Sequence, residues 1–352
     1  MSDTVPASSS APESLAVLER LGVIFSRQLG GNGDVELISV ISGNVNTILK
    51  LRYEGRELGV RLALNTYRFK YEKDIIKEIF ALFLIYHASD AENDMVARGI
   101  VDGILASPVG SYVGHTLVRR VLYYDWSMET LPWPFFIFEW VDGTILWHTP
   151  SEDDYFTAGC NLARLHRITF DSYYHDIFSI GREPLSWVER FGRALAAERL
   201  LAASLLPAVA LAKLDGLDLS LITPARPCLV HNDYSGGNIL KDGDGGQKII
   251  DWDNWVVEAP ELDLLKMKYW TAIGTDGMLC PVPVLYSAFL QGYNDAAGVV
   301  PDGRRLCAYE TLWLTRAFTF ESARRSGPPT AGTDLARHYP PATTYEDWLR
   351  DL

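Results

Sequence analysis

The sequence predicts an α+β chain in two lobes, a sheet-rich first lobe and a larger helical second one, with a cleft between them. Three observations carry this. A chain of 352 residues is too long for one simple core. Between about Val35 and Glu139, apolar runs of strand length alternate with turns rich in Gly and Asn, whereas helical periodicity dominates beyond Trp140. Within the helical part, residues 228–253 break the pattern with a short strand, a polar loop and a hairpin.

Composition excludes several classes. Apolar and charged fractions of 48% and 22% are those of an ordinary globular protein. A net charge of −13 argues against nucleic acid, whose phosphates call for a basic face. No apolar run is long enough to span a bilayer, so no membrane partner is expected. Cys160, Cys228, Cys280 and Cys307 lie far apart without a Cys-x-x-Cys pair, which disfavours zinc and makes a reducing cytoplasm the default. The first residues are rich in Ser, Ala and Pro, and 1–14 are expected to be a disordered leader.

The first lobe spans 15–139. Leu15, Leu18, Leu21 and Ile24 recur at helical spacing, which predicts a short helix over Leu15–Phe25. Val35–Ile41 and Thr47–Tyr53 read as strands interrupted by Ser42-Gly43-Asn44-Val45-Asn46. Strand, Gly/Asn turn, strand is the shape of a loop whose backbone N–H groups cover phosphate. Leu58–Leu64 is a third strand carrying Arg61, and Phe69–His87 an amphipathic helix with Ile75, Ile76, Ile79, Phe80 and Phe83 on its apolar face. Val96–Ala106 and His115–Val121 read as further strands. Phe135–Phe138 is fully apolar and runs through Glu139, Trp140 and Val141 to a turn at Gly143.

The second lobe spans 140–352. Tyr155–Ile168 is expected to be a helix with His166 as a packed end residue, and Trp187–Leu214 a helix divided by Pro207. Leu229 and Val230 form a strand leading to a loop with His231, Asp233 and Asn238. Ile239-Leu240 and Ile249-Ile250 flank the turn Asp242-Gly243-Asp244-Gly245-Gly246, so the hairpin brings Asn238 close to Asp251. Two oxygen ligands side by side suit a hard cation such as magnesium. Asp263 begins a helix, with capping or bracing of the loop as its expected job. Val282–Tyr293 and Arg304–Ser326 read as helices, Pro328–Thr344 as a loop, and Tyr345–Leu352 as a terminal helix.

His231-x-Asp233-x-x-x-x-Asn238 followed by Ile250-Asp251-Trp252 resembles the signature of the aminoglycoside phosphotransferase and choline kinase superfamily. The resemblance implies a protein-kinase-like two-lobe fold and transfer of the γ-phosphate of ATP or GTP to a hydroxyl of a small molecule. It implies Asp233 as the group that accepts or orients the hydroxyl proton, His231 as the residue that fixes the loop, and Asn238 and Asp251 as magnesium ligands. Ser42, Gly43, Asn44 and Asn46 would then cover the phosphates, and the backbone of Glu139 and Val141 would meet the base edge. Arg61 stands where protein kinases place a Lys that pairs with a helix Glu, here Glu78 or, in reserve, Glu72. Asn232 departs from the Gly commoner in antibiotic kinases and is similar to choline kinases, whereas Pro260-Glu261-Leu262-Asp263-Leu264 points back to antibiotic kinases.

The acceptor stays open between an aminoglycoside or amino sugar and choline, ethanolamine or a sugar of primary metabolism. A nucleotide-binding regulatory protein without catalysis is the third reading. A cationic acceptor is suggested by the negative charge, by Asp153, Asp154, Glu258 and Glu261 as cleft walls, and by Trp252, Trp255 and Trp270 as stacking surfaces.

Overall fold

The computed structural model describes residues 14–42, 47–63, 69–88, 94–206, 208–326 and 339–352. Helix α1 (Leu15–Leu29) precedes strands β1 (Glu36–Ser42), β2 (Thr47–Tyr53) and β3 (Arg56–Leu62). Helices α2 (Phe69–Ala88) and α3 (Asp94–Ala106) follow, then β4 (Val109–His115), β5 (Val118–Asp125) and β6 (Phe135–Glu139). The six strands form one antiparallel sheet in the order β1-β2-β3-β6-β5-β4.

The apolar run of β6 follows from its central place, where both faces are covered. Phe135 and Ile137 join the cluster that Val17, Leu21, Ile24 and Phe25 of α1 make with Leu49, Leu51, Leu58 and Val60. Phe136 and Phe138, on the other face, belong to the same cluster as Ile75, Ile79 and Phe80 of α2. The ring of Phe138 lies over Gly59, where a Cβ would come within 2.1 Å of Cζ.

Two strand expectations fail in this lobe. Residues 96–106 form helix α3, burying Ala97, Val101 and Ile104 at helical spacing. Gly99 and Gly103 lower helix propensity by about 1 kcal/mol each relative to Ala, yet burial of that stripe outweighs them. His115–Val121 is not one strand, because Thr116 and Leu117 turn between β4 and β5. Leu117 is buried there, and its carbonyl accepts from Ile249 N at 2.8 Å.

Beyond the sheet come β7 (Gly143–Ile145), α4 (Glu152–Leu165), β8 (Tyr173–Tyr174), β9 (Pro184–Leu185), α5 (Trp187–Ala202) and α6 (Ala208–Asp215). Strands β10 (Cys228–Val230), β11 (Ile239–Asp242), β12 (Gln247–Ile249) and β13 (Val256–Glu258) lead to α7 (Glu261–Tyr269). The chain closes with β14 (Ala272–Ile273), β15 (Leu279–Cys280), α8 (Pro283–Ala297), α9 (Gly303–Ser326) and α10 (Ala342–Asp351). Ser151 caps α4 by accepting from Asp154 N at 3.2 Å, and Ser186 with Glu189 forms a capping box on α5. Residues 328–338 of the expected C-terminal loop lie outside the described residues, and its last three, 342–344, belong to α10. Among the described residues no helix is long and apolar enough to cross a membrane.

Helices α4 and α8 cross closely enough to need glycine on both sides. A Cβ on Gly159 would sit 2.0 Å from the Phe289 carbonyl oxygen, and one on Gly292 would sit 2.0 Å from that of Phe156. Both obstacles are backbone, so relief requires the helices to separate. Gly159→Ala is expected to lower stability by about 1–3 kcal/mol or more, read as a lower denaturation midpoint at unchanged m. A midpoint equal to the parent's would show that the crossing can open at no cost.

Candidate active site

The catalytic-loop candidates sit on a frame of short strands. β11 pairs with β12 in the register Ile239↔Ile249, and Ile250 N donates to Asn238 O at 3.0 Å. Asn238 and Asp251 therefore flank the same end of the hairpin. His231 is 1% exposed and joins the two sides. Its Nδ1 accepts from Asp233 N at 3.2 Å, which leaves the ring proton on Nε2 to donate to Ile250 O at 3.0 Å.

Asp263 supplies the brace. Its Oδ2 accepts from His231 N and its Oδ1 from Asn232 N, both at 2.7 Å. His166 adds a contact from Nε2 at 3.2 Å, and Tyr293 Oη lies 2.9 Å from its Nδ1. Of the two jobs expected of Asp263, loop bracing is the one present. Asn232 adopts φ 62°, a left-handed conformation open to Gly and Asn. That single constraint accounts for either residue type at this position.

A second cluster joins the two lobes. Arg61 lies 2.9 Å from Glu78, 3.0 Å from Asp251 and 3.3 Å from Asp253. Glu78 of α2 thus meets the third-strand cation, while the side chain of Glu72 is outside the described residues. Burial works against the Arg61 charge, but the three carboxylates outweigh it and hold its pKa above the ordinary arginine value. Burial pushes the Glu78 carboxyl up to about 7, with the Asp251 charge adding to the rise and Arg61 and Arg119 pulling against it. Asp251 itself has φ 66°, a strained backbone for a non-glycine residue and of the kind found at functional sites.

Arg119 of β5, which no sequence motif singled out, belongs to the same electrostatic group. Burial pushes its guanidinium down to about 10, partly offset by Glu78 and Asp251. It stacks over Phe138 at 4.7 Å and Trp140 at 5.7 Å. Lys266 of α7 also escaped notice, and its Nζ lies 2.5 Å from Asp233 Oδ1. The available signal was its position three residues after Asp263, on the same helix face.

Glu139 and Val141 lie where the sheet passes into the helical part. The Glu139 side chain is 3.3 Å from Arg56 and 3.1 Å from Arg120, and Trp140 N donates to Glu57 O at 3.2 Å. Lys50 stands 4.8 Å over the Trp140 ring and binds Asp142 at 3.1 Å. Ser42 ends β1 opposite Thr47, and Gly43, Asn44 and Asn46 lie outside the described residues.

The features expected to receive a cation are used internally. Trp252 and Trp255 are 1% and 0% exposed, because large apolar rings go where water is excluded. Trp255 Nε1 donates to Lys77 O at 2.6 Å, tying α2 to the catalytic segment. Trp270 is also buried. Glu258 is held by Arg190 at 3.3 Å and by Tyr309, Glu261 by Arg305 at 2.6 Å, and Asp154 by Lys241 at 2.7 Å. Buried carboxylates need such partners. Among the described residues Asp153 alone of the four is exposed and without an ion pair, which corrects the picture of an acidic, tryptophan-lined cleft.

Among the described residues no three His, Cys, Asp or Glu side chains are placed to hold a metal ion. Magnesium asks for less. Asn238 Nδ2 donates to Asp233 O at 2.8 Å, and among the described residues its Oδ1 takes no partner. The Asp251 carboxylate is 42% exposed and uses Oδ1 for Arg61. One amide oxygen and one accessible carboxylate fit a cation whose remaining ligands are water and phosphate.

A six-stranded antiparallel sheet over a helical lobe, with this loop and hairpin, defines a protein-kinase-like fold. The sequence profile of the phosphotransferase enzyme family matches residues 112–309, more than half of the chain. The chain belongs to that family, within the aminoglycoside phosphotransferase and choline kinase superfamily.

Solved structures agree on the fold. A protein of Ralstonia eutropha JMP134 assigned to the aminoglycoside phosphotransferases superposes with a TM-score of 0.62 at 15% identity, over 95% of this chain and 94% of that one. Spectinomycin phosphotransferase APH(9)-Ia, in complex with ADP and spectinomycin, gives 0.54 at 14% identity over 94% and 93%. A thermostable form of aminoglycoside phosphotransferase APH(4)-Ia, with AMP-PNP and hygromycin B, gives 0.55 at 14% identity over 94% and 98%. No curated protein sequence matches the chain.

Proposed function

We propose that the protein transfers the γ-phosphoryl group of ATP or GTP to a hydroxyl of a small molecule. The observation that carries this reading is the junction at Ile250. Its carbonyl accepts from His231 and its N–H donates to Asn238, so the Asp233 loop and the Asp251 turn form one unit beside the Arg61–Glu78 pair.

On this reading Asn238 Oδ1 and the Asp251 carboxylate would hold magnesium, whose positive charge would offset that of the nucleotide phosphates. Arg61, kept in place by Glu78, binds the phosphates, and Ser42, Gly43, Asn44 and Asn46 keep the phosphate-covering role expected of them. Backbone groups at Glu139 and Val141 take the base edge. The acceptor oxygen bonds to the γ-phosphorus as the bond to the β–γ bridging oxygen breaks. The nucleoside diphosphate leaves with that electron pair, and the hydroxyl proton passes to Asp233. The four cysteines, free of disulfides, support a cytoplasmic setting.

An aminoglycoside or amino-sugar acceptor is supported by the family and by what the structural neighbours bind, while the carboxylate pairing described above lends it no electrostatic help. The test is nucleoside diphosphate formation from ATP or GTP, with magnesium or with chelator, against aminoglycosides, choline, ethanolamine and hexoses. Transfer stimulated by at least one acceptor and abolished by chelator is expected. Thermal stabilisation by nucleotide with no transfer to any acceptor or to water would instead mark a regulatory nucleotide-binding protein. For any amino-sugar substrate, KM is expected to change little with salt, since three of the four carboxylates expected on the cleft walls are already held by Arg or Lys.

A further inference from the structure

We propose that Lys266 aims Asp233 for proton transfer, a positioning role that rests on the phosphotransferase reading above. Three contacts define how Asp233 is held. Its N–H donates to His231 Nδ1 at 3.2 Å, its carbonyl accepts from Asn238 Nδ2 at 2.8 Å, and its Oδ1 accepts from Lys266 Nζ at 2.5 Å. The first two fix the backbone and only the third fixes the carboxylate. Among the described residues Oδ2 takes no partner, and it is the oxygen left for the acceptor hydroxyl.

The need for such a contact is physical. The terminal torsion of an Asp side chain is broad, so an untethered carboxylate turns through many orientations. A general base works only within about 2.6–3.2 Å of the proton that it takes. Tying down one oxygen presents the other along a single direction. In the step itself the hydroxyl O–H bond breaks with its proton going to Oδ2. The oxygen keeps the electron pair and bonds to phosphorus, and the nucleoside diphosphate departs with the electrons of the broken P–O bond. Lys266 keeps all its protons throughout.

Lys266 is itself held, unlike a surface lysine. Its side chain is 17% exposed, and Nζ stands 5.3 Å from the centroid of the Trp270 ring, a cation–π distance. Trp270 Nε1 donates to Tyr345 Oη at 3.2 Å, and its ring packs against Trp313 and Tyr339. A line of contacts thus runs from α10 through Tyr345 and Trp270 to Lys266 and ends on the reacting carboxylate.

The test compares the parent with Lys266→Met, Lys266→Arg, Asp233→Asn and the Asp233→Asn/Lys266→Met double variant. The readout is phosphate released from ATP or GTP with magnesium, water serving as acceptor, and transfer to any acceptor found. Lys266→Met is expected to lower kcat about 10- to 100-fold with nucleotide KM changed less than about twofold. Lys266→Arg is expected to recover most of that loss, and the double variant to be no slower than Asp233→Asn alone, because both changes remove one function. A Lys266→Met enzyme within about threefold of the parent, or a double variant in which the two losses multiply, overturns the proposal. If Lys266→Met melts early, the arginine variant decides: no recovery counts against positioning. A parent that binds nucleotide yet transfers phosphate to nothing removes the phosphotransferase reading itself, and this proposal with it.

Discussion

Asp233→Asn is expected to leave nucleotide binding nearly intact and to lower turnover by at least roughly two orders of magnitude. The substitution keeps the shape of the side chain and an oxygen for Lys266 Nζ, now 2.5 Å away. His231 Nδ1 still accepts from the backbone N–H of residue 233. What disappears is the capacity to accept a proton from the acceptor. Calorimetric titration with magnesium nucleotide and a turnover assay on the same preparation separate the two effects. Turnover within about threefold of the parent would remove Asp233 from the mechanism.

Asp251→Ala is expected to act on the other half of the reaction, weakening magnesium-dependent nucleotide binding by at least roughly tenfold. The carboxylate is the charged member of the proposed ligand pair, and Arg61 loses one of three acidic neighbours with it. Residue 251 has φ 66°, so Ala also introduces backbone strain. Asp251→Asn is the control, since Asn accepts that conformation and loses only the charge. Titrations with and without magnesium are expected to converge for both variants. A magnesium effect equal to the parent's in Asp251→Asn would mean that another residue holds the metal.

Much of the frame could be read from residues alone because local pattern and tertiary demand agree there. The apolar run of β6, the hairpin turn between β11 and β12 and the periodicity of α1, α2 and α4 each match the burial that the fold imposes. Where they disagree, the reading failed. The β-branched residues of α3 favour a strand and its two glycines weaken a helix, while its stripe of Ala97, Val101 and Ile104 sits buried as one helix face.

Charge pairing was least legible. Glu258 and Glu261 looked like acids in search of a cationic ligand, yet Arg190 and Arg305 reach them from α5 and α9, far away in sequence. Arg119 and Lys266 belong to no motif, and only the folded chain brings them to Phe138 and Asp233. By contrast, the Arg61 pair was legible through the resemblance to protein kinases, which set a cation on the third strand against a Glu of the following helix, and of Glu78 and Glu72 the structure shows Glu78 in that place.

The ring of Phe138 resting over Gly59 has a consequence for the history of the chain. The two positions share one volume: a methyl group at 59 would overlap a ring that has Arg119 on it and Phe136 and Trp140 beside it. Position 59 cannot gain a side chain while the ring stays. A lineage that gains a side chain at 59 is expected to have first traded Phe138 for something smaller, and reversal is then blocked until the glycine returns. The order of substitution, rather than the merit of either residue, would decide which descendants keep an aromatic ring beside the passage between the lobes.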